Sequence, residues 1–291
     1  MKNNTNLITV MLVLFSLLSS CSPQPQNQVI QPVPSSTAAL PTGATVSLST
    51  ATLQATDTAT ATSTPAPEFL VSTPLEEISL SELVEILKNP FQAPQPGRDD
   101  GHHGVDFAYY SRGSRTQMEG LGIHAVLSGR VAGVMNNRPP YGYAVIIETP
   151  LNHRMLEYSF LPLSTTTGIN RTPDTRLFCP NYDDLEPVSS GVSIYTLYAH
   201  MLDQPVFSVG EYLDSGAKIG SVGSTGASIN AHLHLEMRMG PSGATFGEMA
   251  HYINDATDLE MATYCLWRVS GYFTPFDPML ILVPDNDVNS K

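Results

Sequence analysis

Two short strings hold the side chains best suited to chemistry, His102-His103-Gly104-Val105-Asp106 and His232-Leu233-His234-Leu235-Glu236. Imidazole and carboxylate are the ligands of a catalytic zinc. Three protein ligands of the types His, Asp and His would leave a fourth coordination position open. A metal held that way acidifies water and polarises a nearby carbonyl, the chemistry of amide-bond hydrolysis. Spacing alone leaves His103 as a competitor of His102. A third imidazole, His200, ends Tyr198-Ala199-His200. A lone histidine is more often structural, so the weight lies on the combination.

These groups need particular elements to bring them together. Zinc bonds are short, so the donor atoms must converge within a few ångströms. Four residues of straight strand would hold the Cα atoms of His102 and Asp106 about 13 Å apart. The segment is therefore expected to bend, with Gly104 permitting it. On a strand from His232 to Met239, His232, His234, Glu236 and Arg238 fall on one face and Leu233, Leu235, Met237 and Met239 on the other. One face is expected in a core, with the other presenting chemistry. Further strands are predicted at 125–135, 142–148, 192–199, 218–222 and 279–283. Short strands separated by turn signals indicate a mainly β domain. Leu80, Leu83, Val84 and Leu87 recur at helical spacing, Ser79 and Glu82 match a capping box, and Asn89-Pro90 ends the pattern. That predicts a short N-terminal helix packed on the domain. Two long stretches, 151–190 and 241–275, read as insertions, the second with helix-like content around 247–256; loops this long are often functional.

The net charge of −13 excludes the basic stripe that a nucleic-acid partner would require. Leu7 to Leu18 is an apolar run of signal-peptide length, too short to span a bilayer. It ends in Leu18-Ser19-Ser20-Cys21, which resembles a bacterial lipobox and implies cleavage before Cys21 and lipid on its sulfur. An ordinary secretory signal with a chance cysteine is the alternative. Lipid would anchor the mature chain to a membrane rather than span it. Residues 21–74 are rich in Thr, Ser, Ala and Pro and bury too little to fold, so they read as a disordered tether. Its r.m.s. span would be about 40 Å. The folded domain is expected over 75–284, followed by a polar tail at 285–291. One cysteine lies in each insertion, Cys179 and Cys265. Outside the cytoplasm they can form a bridge tying the insertions together; two buried thiols are the alternative.

Several motifs in order resemble the lysostaphin- and LytM-type zinc endopeptidases of bacterial cell walls. They are His102-His103-Gly104-Val105-Asp106, Tyr198-Ala199-His200, the turn Gly220-Ser221-Val222-Gly223-Ser224-Thr225-Gly226-Ala227-Ser228, and His232-Leu233-His234. Val209-Gly210 and Ser215-Gly216 resemble a glycine-paced hairpin ahead of the turn, and Phe276-Asp277-Pro278 a closing segment. The resemblance assigns His102, Asp106 and His234 to Zn2+ and His200 and His232 to catalysis. It implies a small antiparallel sheet or barrel-like fold with a groove over the metal. It further implies an extracytoplasmic enzyme of the cell envelope, acting on peptidoglycan peptides; a monomer is expected. A silent relative that binds wall peptides or activates another hydrolase is the alternative. Ile229-Asn230-Ala231 departs from the family's Thr-Gly-Pro before the second His pair, with Asn230 expected to tolerate a left-handed backbone.

Overall fold

The computed structural model describes residues 70–152, 177–187, 189 and 191–283. Cys21, the signal segment, residues 21–69 of the tether, most of the first insertion and the polar tail lie outside the described residues. Among the described residues no helix is long and apolar enough to cross a membrane.

Among the described residues the domain has ten strands and three α-helices. The strands are β1 (Leu87–Asn89), β2 (Gly104–Phe107), β3 (Gly122–His124), β4 (Gly129–Arg138), β5 (Gly142–Pro150), β6 (Val192–Met201), β7 (Tyr212–Leu213), β8 (Lys218–Ser221), β9 (Leu233–Pro241) and β10 (Thr274–Phe276). The helices are α1 (Leu83–Ile86), α2 (Asp258–Arg268) and α3 (Met279–Leu282). The main sheet runs β1-β2-β9-β6-β5-β4-β7, all antiparallel. β10 pairs with the second half of β9, beyond the reach of β2. The fold is mainly β, and the sheet stays open rather than closing into a barrel. A separate two-stranded ribbon joins β3 to β8.

Alternation along β9 decides the layering. Leu233, Leu235 and Met237 enter a core with Val105, Phe107, Ile123 and Tyr198. Each such Leu or Met side chain contributes roughly 1.5–3 kcal/mol by leaving water. The opposite sheet face is also covered. Tyr195, Leu197 and Ile146 pack there with Tyr264, Leu266 and Trp267 of α2 and with Phe246 and Phe273. The expected open face is thus roofed by the second insertion over much of its length, and Glu236 and Arg238 are fully buried beneath it.

Local chemistry accounts for several departures from expectation. The N-terminal helix is a 3-10 turn at Leu80–Glu82 and one turn of α1; the Ser79–Glu82 capping box is present, Val84 is exposed, and the chain then extends as β1 to pair with β2. Of the segment predicted as one strand over 125–135 only 129–135 is strand, within β4; residues 125–128 connect it to β3, which ends at His124. Residues 279–282 of the predicted strand 279–283 form α3, with Val283 as its C-cap: Asp277 Oδ1 accepts from the Met279 N–H and starts the turn after Pro278. An apolar run that short does not distinguish strand from helix by periodicity. The helix of the second insertion lies at Asp258–Arg268 rather than 247–256, where Thr257 and Glu260 form a capping box. The glycine-paced segment is not a hairpin either, because β7 pairs with β4 and β8 with β3.

Candidate metal centre and groove

Strand register places the site. Asp106 of β2 lies directly opposite His234 of β9, and Ala199 of β6 flanks His234 on the other side. His200 follows Ala199 and would alternate to the far face, but its φ of 58° breaks the alternation. Its ring lies 4.6 Å from that of His232 and 5.8 Å from that of His234, centroid to centroid. The bend expected at Gly104 is absent as a left-handed turn. Gly104 already belongs to β2, and the positive φ falls at Gly101, at 75°. What makes glycine necessary at 104 is close strand approach: a Cβ there would lie 2.4 Å from the Leu235 carbonyl oxygen.

His102 Nε2, Asp106 Oδ1 and His234 Nδ1 form a triangle with edges of 3.2, 3.2 and 2.7 Å. Donors bound tetrahedrally to zinc at about 2.0–2.2 Å would stand about 3.3 Å apart, so the triangle fits such an ion. The tautomers fit as well. His102 Nδ1 donates to the Pro90 carbonyl at 3.0 Å, and His234 Nε2 donates to Glu236 Oε1 at 3.2 Å. Each ring is thereby left with a lone pair on the nitrogen that faces the triangle, the usual outer arrangement of a metal-bound histidine. Asn89 Nδ2 donates to Asp106 Oδ2 at 3.0 Å and holds the carboxylate in place. His103 is turned away from this centre. Its Nδ1 accepts from Arg238 Nη2 at 2.6 Å and its Nε2 donates to the Asp100 carbonyl at 3.0 Å. Burial, then the Arg238 charge, push it down to about 2.

His200 and His232 flank the triangle. His200 Nδ1 donates to the Thr225 carbonyl at 2.8 Å and His232 Nδ1 to the Asn230 carbonyl at 2.8 Å, so Nε2 is the accepting nitrogen of each. His232 Nε2 stands 3.7 Å from Asp106 Oδ1. Burial, then the neighbouring imidazoles, push His200 down to about 3 and keep it neutral. Burial opposes charge on His234, but its bonds to Asp106 and Glu236 prevail and lift it to about 9. The carboxylates that favour a proton there would equally favour a metal cation. Asp106 itself is held well below the usual carboxylate range by His102 and His234, against the effect of burial.

The turn before β9 completes the site. Thr225 Oγ1 donates to the Met201 carbonyl at 2.8 Å and accepts from the Tyr143 N–H at 3.0 Å, which fixes the carbonyl that holds His200. Gly226, at φ 71°, supplies the left-handed residue and lies tightly against Gly142 and Pro140. Asn230 does not adopt a positive φ. An open groove of about 850 Å³ runs over the centre, walled by Tyr109, Tyr110 and Thr116 to Glu119 on one side and by Ala227 to Ala231 on another. Sequence reasoning passed over Thr225 and Glu236. The alternation on β9 was the available signal for Glu236, two residues beyond His234.

The fold and the site describe a hydrolase domain of the metallopeptidase class. Residues 181–245 match the model of peptidase family M23. The match contains His200, His232 and His234, while His102 and Asp106 lie outside it. Over those residues the chain is similar to the LytM-type peptidases of family M23. Among solved structures, the catalytic domain of the antimicrobial peptidase lysostaphin from Staphylococcus simulans is 19% identical, with 71% of this chain and 98% of that one covered and a TM-score of 0.35. The prophage-encoded M23 protein EnpA from Enterococcus faecalis, in its catalytic domain, is 19% identical over 54% of this chain and 82% of that one, with a TM-score of 0.31. A zinc-containing peptidase from Vibrio cholerae is 18% identical over 58% of this chain and 35% of that one, with a TM-score of 0.31. The chain spans 45% of the similar Pseudomonas aeruginosa structure and 35% of the Vibrio cholerae one, less than half of each. No curated protein matches.

Proposed function

We propose that this chain is a zinc-dependent endopeptidase that cleaves peptide bonds of bacterial cell-wall peptidoglycan, tethered to a membrane of the cell envelope through lipid on Cys21. The convergence of His102, Asp106 and His234 at one point, with two more imidazoles beside it, carries the reading. His102, Asp106 and His234 would hold the ion. When bound, zinc supplies Lewis acidity toward a carbonyl and acidifies water. His200 and His232 present Nε2 lone pairs to the reacting volume. One would take the proton of the attacking water and pass it to the leaving amine; the other would lie beside the developing oxyanion and stabilise it. The groove suits an extended peptide laid across the centre. The Thr-, Ser- and Pro-rich segment that follows Cys21 is long enough to let the domain search the wall above the lipid surface.

The test combines metal analysis with digestion of purified wall and defined cross-linked muropeptides, the products identified by mass. One zinc per chain is expected, with cleavage abolished in His234→Ala. Zinc-loaded protein that leaves every wall preparation and muropeptide intact would mean a silent, wall-binding module instead.

A further inference from the structure

Among the described residues Glu236 is the buried carboxylate that accepts the most hydrogen bonds, and half of its donors come from outside the core sheet. Its Oε1 accepts from His234 Nε2 at 3.2 Å, Tyr141 Oη at 2.9 Å and Arg268 Nη1 at 3.1 Å. Its Oε2 accepts from Arg238 Nε and Nη2 at 3.0 and 2.9 Å and from Trp267 Nε1 at 3.0 Å. Trp267 and Arg268 are the last two residues before the end of α2. The helix reaches Glu236 a second time through Arg238, whose Nη1 donates to the Trp267 carbonyl at 2.7 Å. A fully buried carboxylate keeps its charge only while such donors surround it, and Arg238, His234 and Arg268 hold Glu236 well below its ordinary range against burial.

The helix is itself fixed at several points. Arg268 Nε donates to Asp99 Oδ1 at 2.5 Å, and Asp99 Oδ2 accepts from Tyr264 and Tyr252. Glu260 pairs with Arg138 of β4 at 2.6 Å, and Cys265 is bonded to Cys179. We propose that the inserted helix α2 is the positioning element of the metal centre: Trp267 and Arg268 hold Glu236, Glu236 holds the His234 ring, and together they set how tightly the site retains its metal. The inference rests on the zinc reading above. The carboxylate that accepts from His234 Nε2 fixes which nitrogen faces the metal and raises its basicity; loss of such outer partners typically weakens metal binding about 10–100-fold.

The experiment measures zinc affinity by chelator competition, and the visible absorption of the Co2+-loaded protein, for the wild type, Trp267→Phe, Arg268→Gln and Phe246→Leu. Trp267→Phe removes one N–H and little volume, so it remains informative where Arg268→Gln fails to fold. Phe246 packs on Trp267 at 5.1 Å between centroids and has no hydrogen-bonding group to offer Glu236, so it controls for loss of packing alone. The expected result is zinc binding weakened at least tenfold, with a shifted Co2+ spectrum, in Trp267→Phe and Arg268→Gln, and both unchanged in Phe246→Leu. Wild-type affinity and spectrum in Trp267→Phe would overturn the positioning role while leaving the zinc reading intact. Equal weakening in Phe246→Leu would overturn it too, by showing that packing alone suffices. Wild-type protein that takes up no zinc would overturn both.

Discussion

Gly104→Ala is expected to open the metal centre without altering any side chain in it. Gly104 lies opposite Glu236 where β2 meets β9, and a Cβ there would fall 2.4 Å from the Leu235 carbonyl oxygen and 2.9 Å from its carbon. Both atoms are backbone in the middle of a buried strand, so no side-chain rotation relieves the clash. Ordinary contact starts near 3.4 Å, so the strands must part by about 1 Å at this point. Asp106 follows two residues later, opposite His234, with its Oδ1 2.7 Å from Nδ1. Parting the strands by that amount takes the edge past the roughly 3.3 Å that a tetrahedral ion spans. Strain of this kind in a packed core costs about 1–3 kcal/mol, and a displacement of about 1 Å at a reacting centre costs about 100-fold in rate. Urea unfolding of metal-free protein, chelator competition for zinc and muropeptide cleavage would be measured side by side. The expected pattern is a folded variant with weakened zinc binding and about 100-fold slower cleavage. Zinc affinity and rate within a factor of three of the wild type would refute the claim that β2–β9 spacing sets the ligand triangle.

Three further outcomes are expected. Replacing both Cys179 and Cys265 by Ala frees a loop of 86 residues, which the chain-entropy model values at about 4.6 kcal/mol as an upper figure; a urea midpoint unchanged by the double substitution would contradict this. In metal-free protein, His103 and His200 are held neutral in the fold at about 2 and 3, so the unfolded chain binds more protons as pH falls below 6.5. Stability should then drop by roughly 1.4 kcal/mol per pH unit for each group between pH 6.5 and 3. His234, raised to about 9, adds the opposite limb: its contribution is complete below 6.5 and lost as pH rises through 9. Unfolding measured in chelator from pH 4 to 9.5 should peak near 6.5, and a flat profile would count against these assignments. Finally, Cys21→Ser should shift the protein from the detergent-extracted membrane fraction to the soluble one, and continued retention would dismiss the lipid anchor.

The order of the motifs was enough to indicate a mainly β domain of LytM type, and the resemblance they carry nominated the five side chains that the structure gathers at the groove, while residue type and spacing left His103 competing with His102. That much is local information: spacing along a strand, a glycine-rich turn, a capping box at Ser79. Sequence-local pattern failed where two states share one signature, as in the apolar run of α3, or where a partner strand decides, as when Leu87 leaves α1 to pair with Phe107. The choice between His102 and His103 was tertiary. One ring meets Asp106 and His234 and the other meets Arg238, because consecutive residues point to opposite sides of the chain. The second insertion read as a long polar stretch with helix-like content around 247–256, yet its helix forms later and brings Trp267 and Arg268 to a carboxylate 31 and 32 residues earlier in the chain. No local pattern encodes that encounter. It exists because a buried charge must find donors, and the fold delivers them from whatever segment covers it.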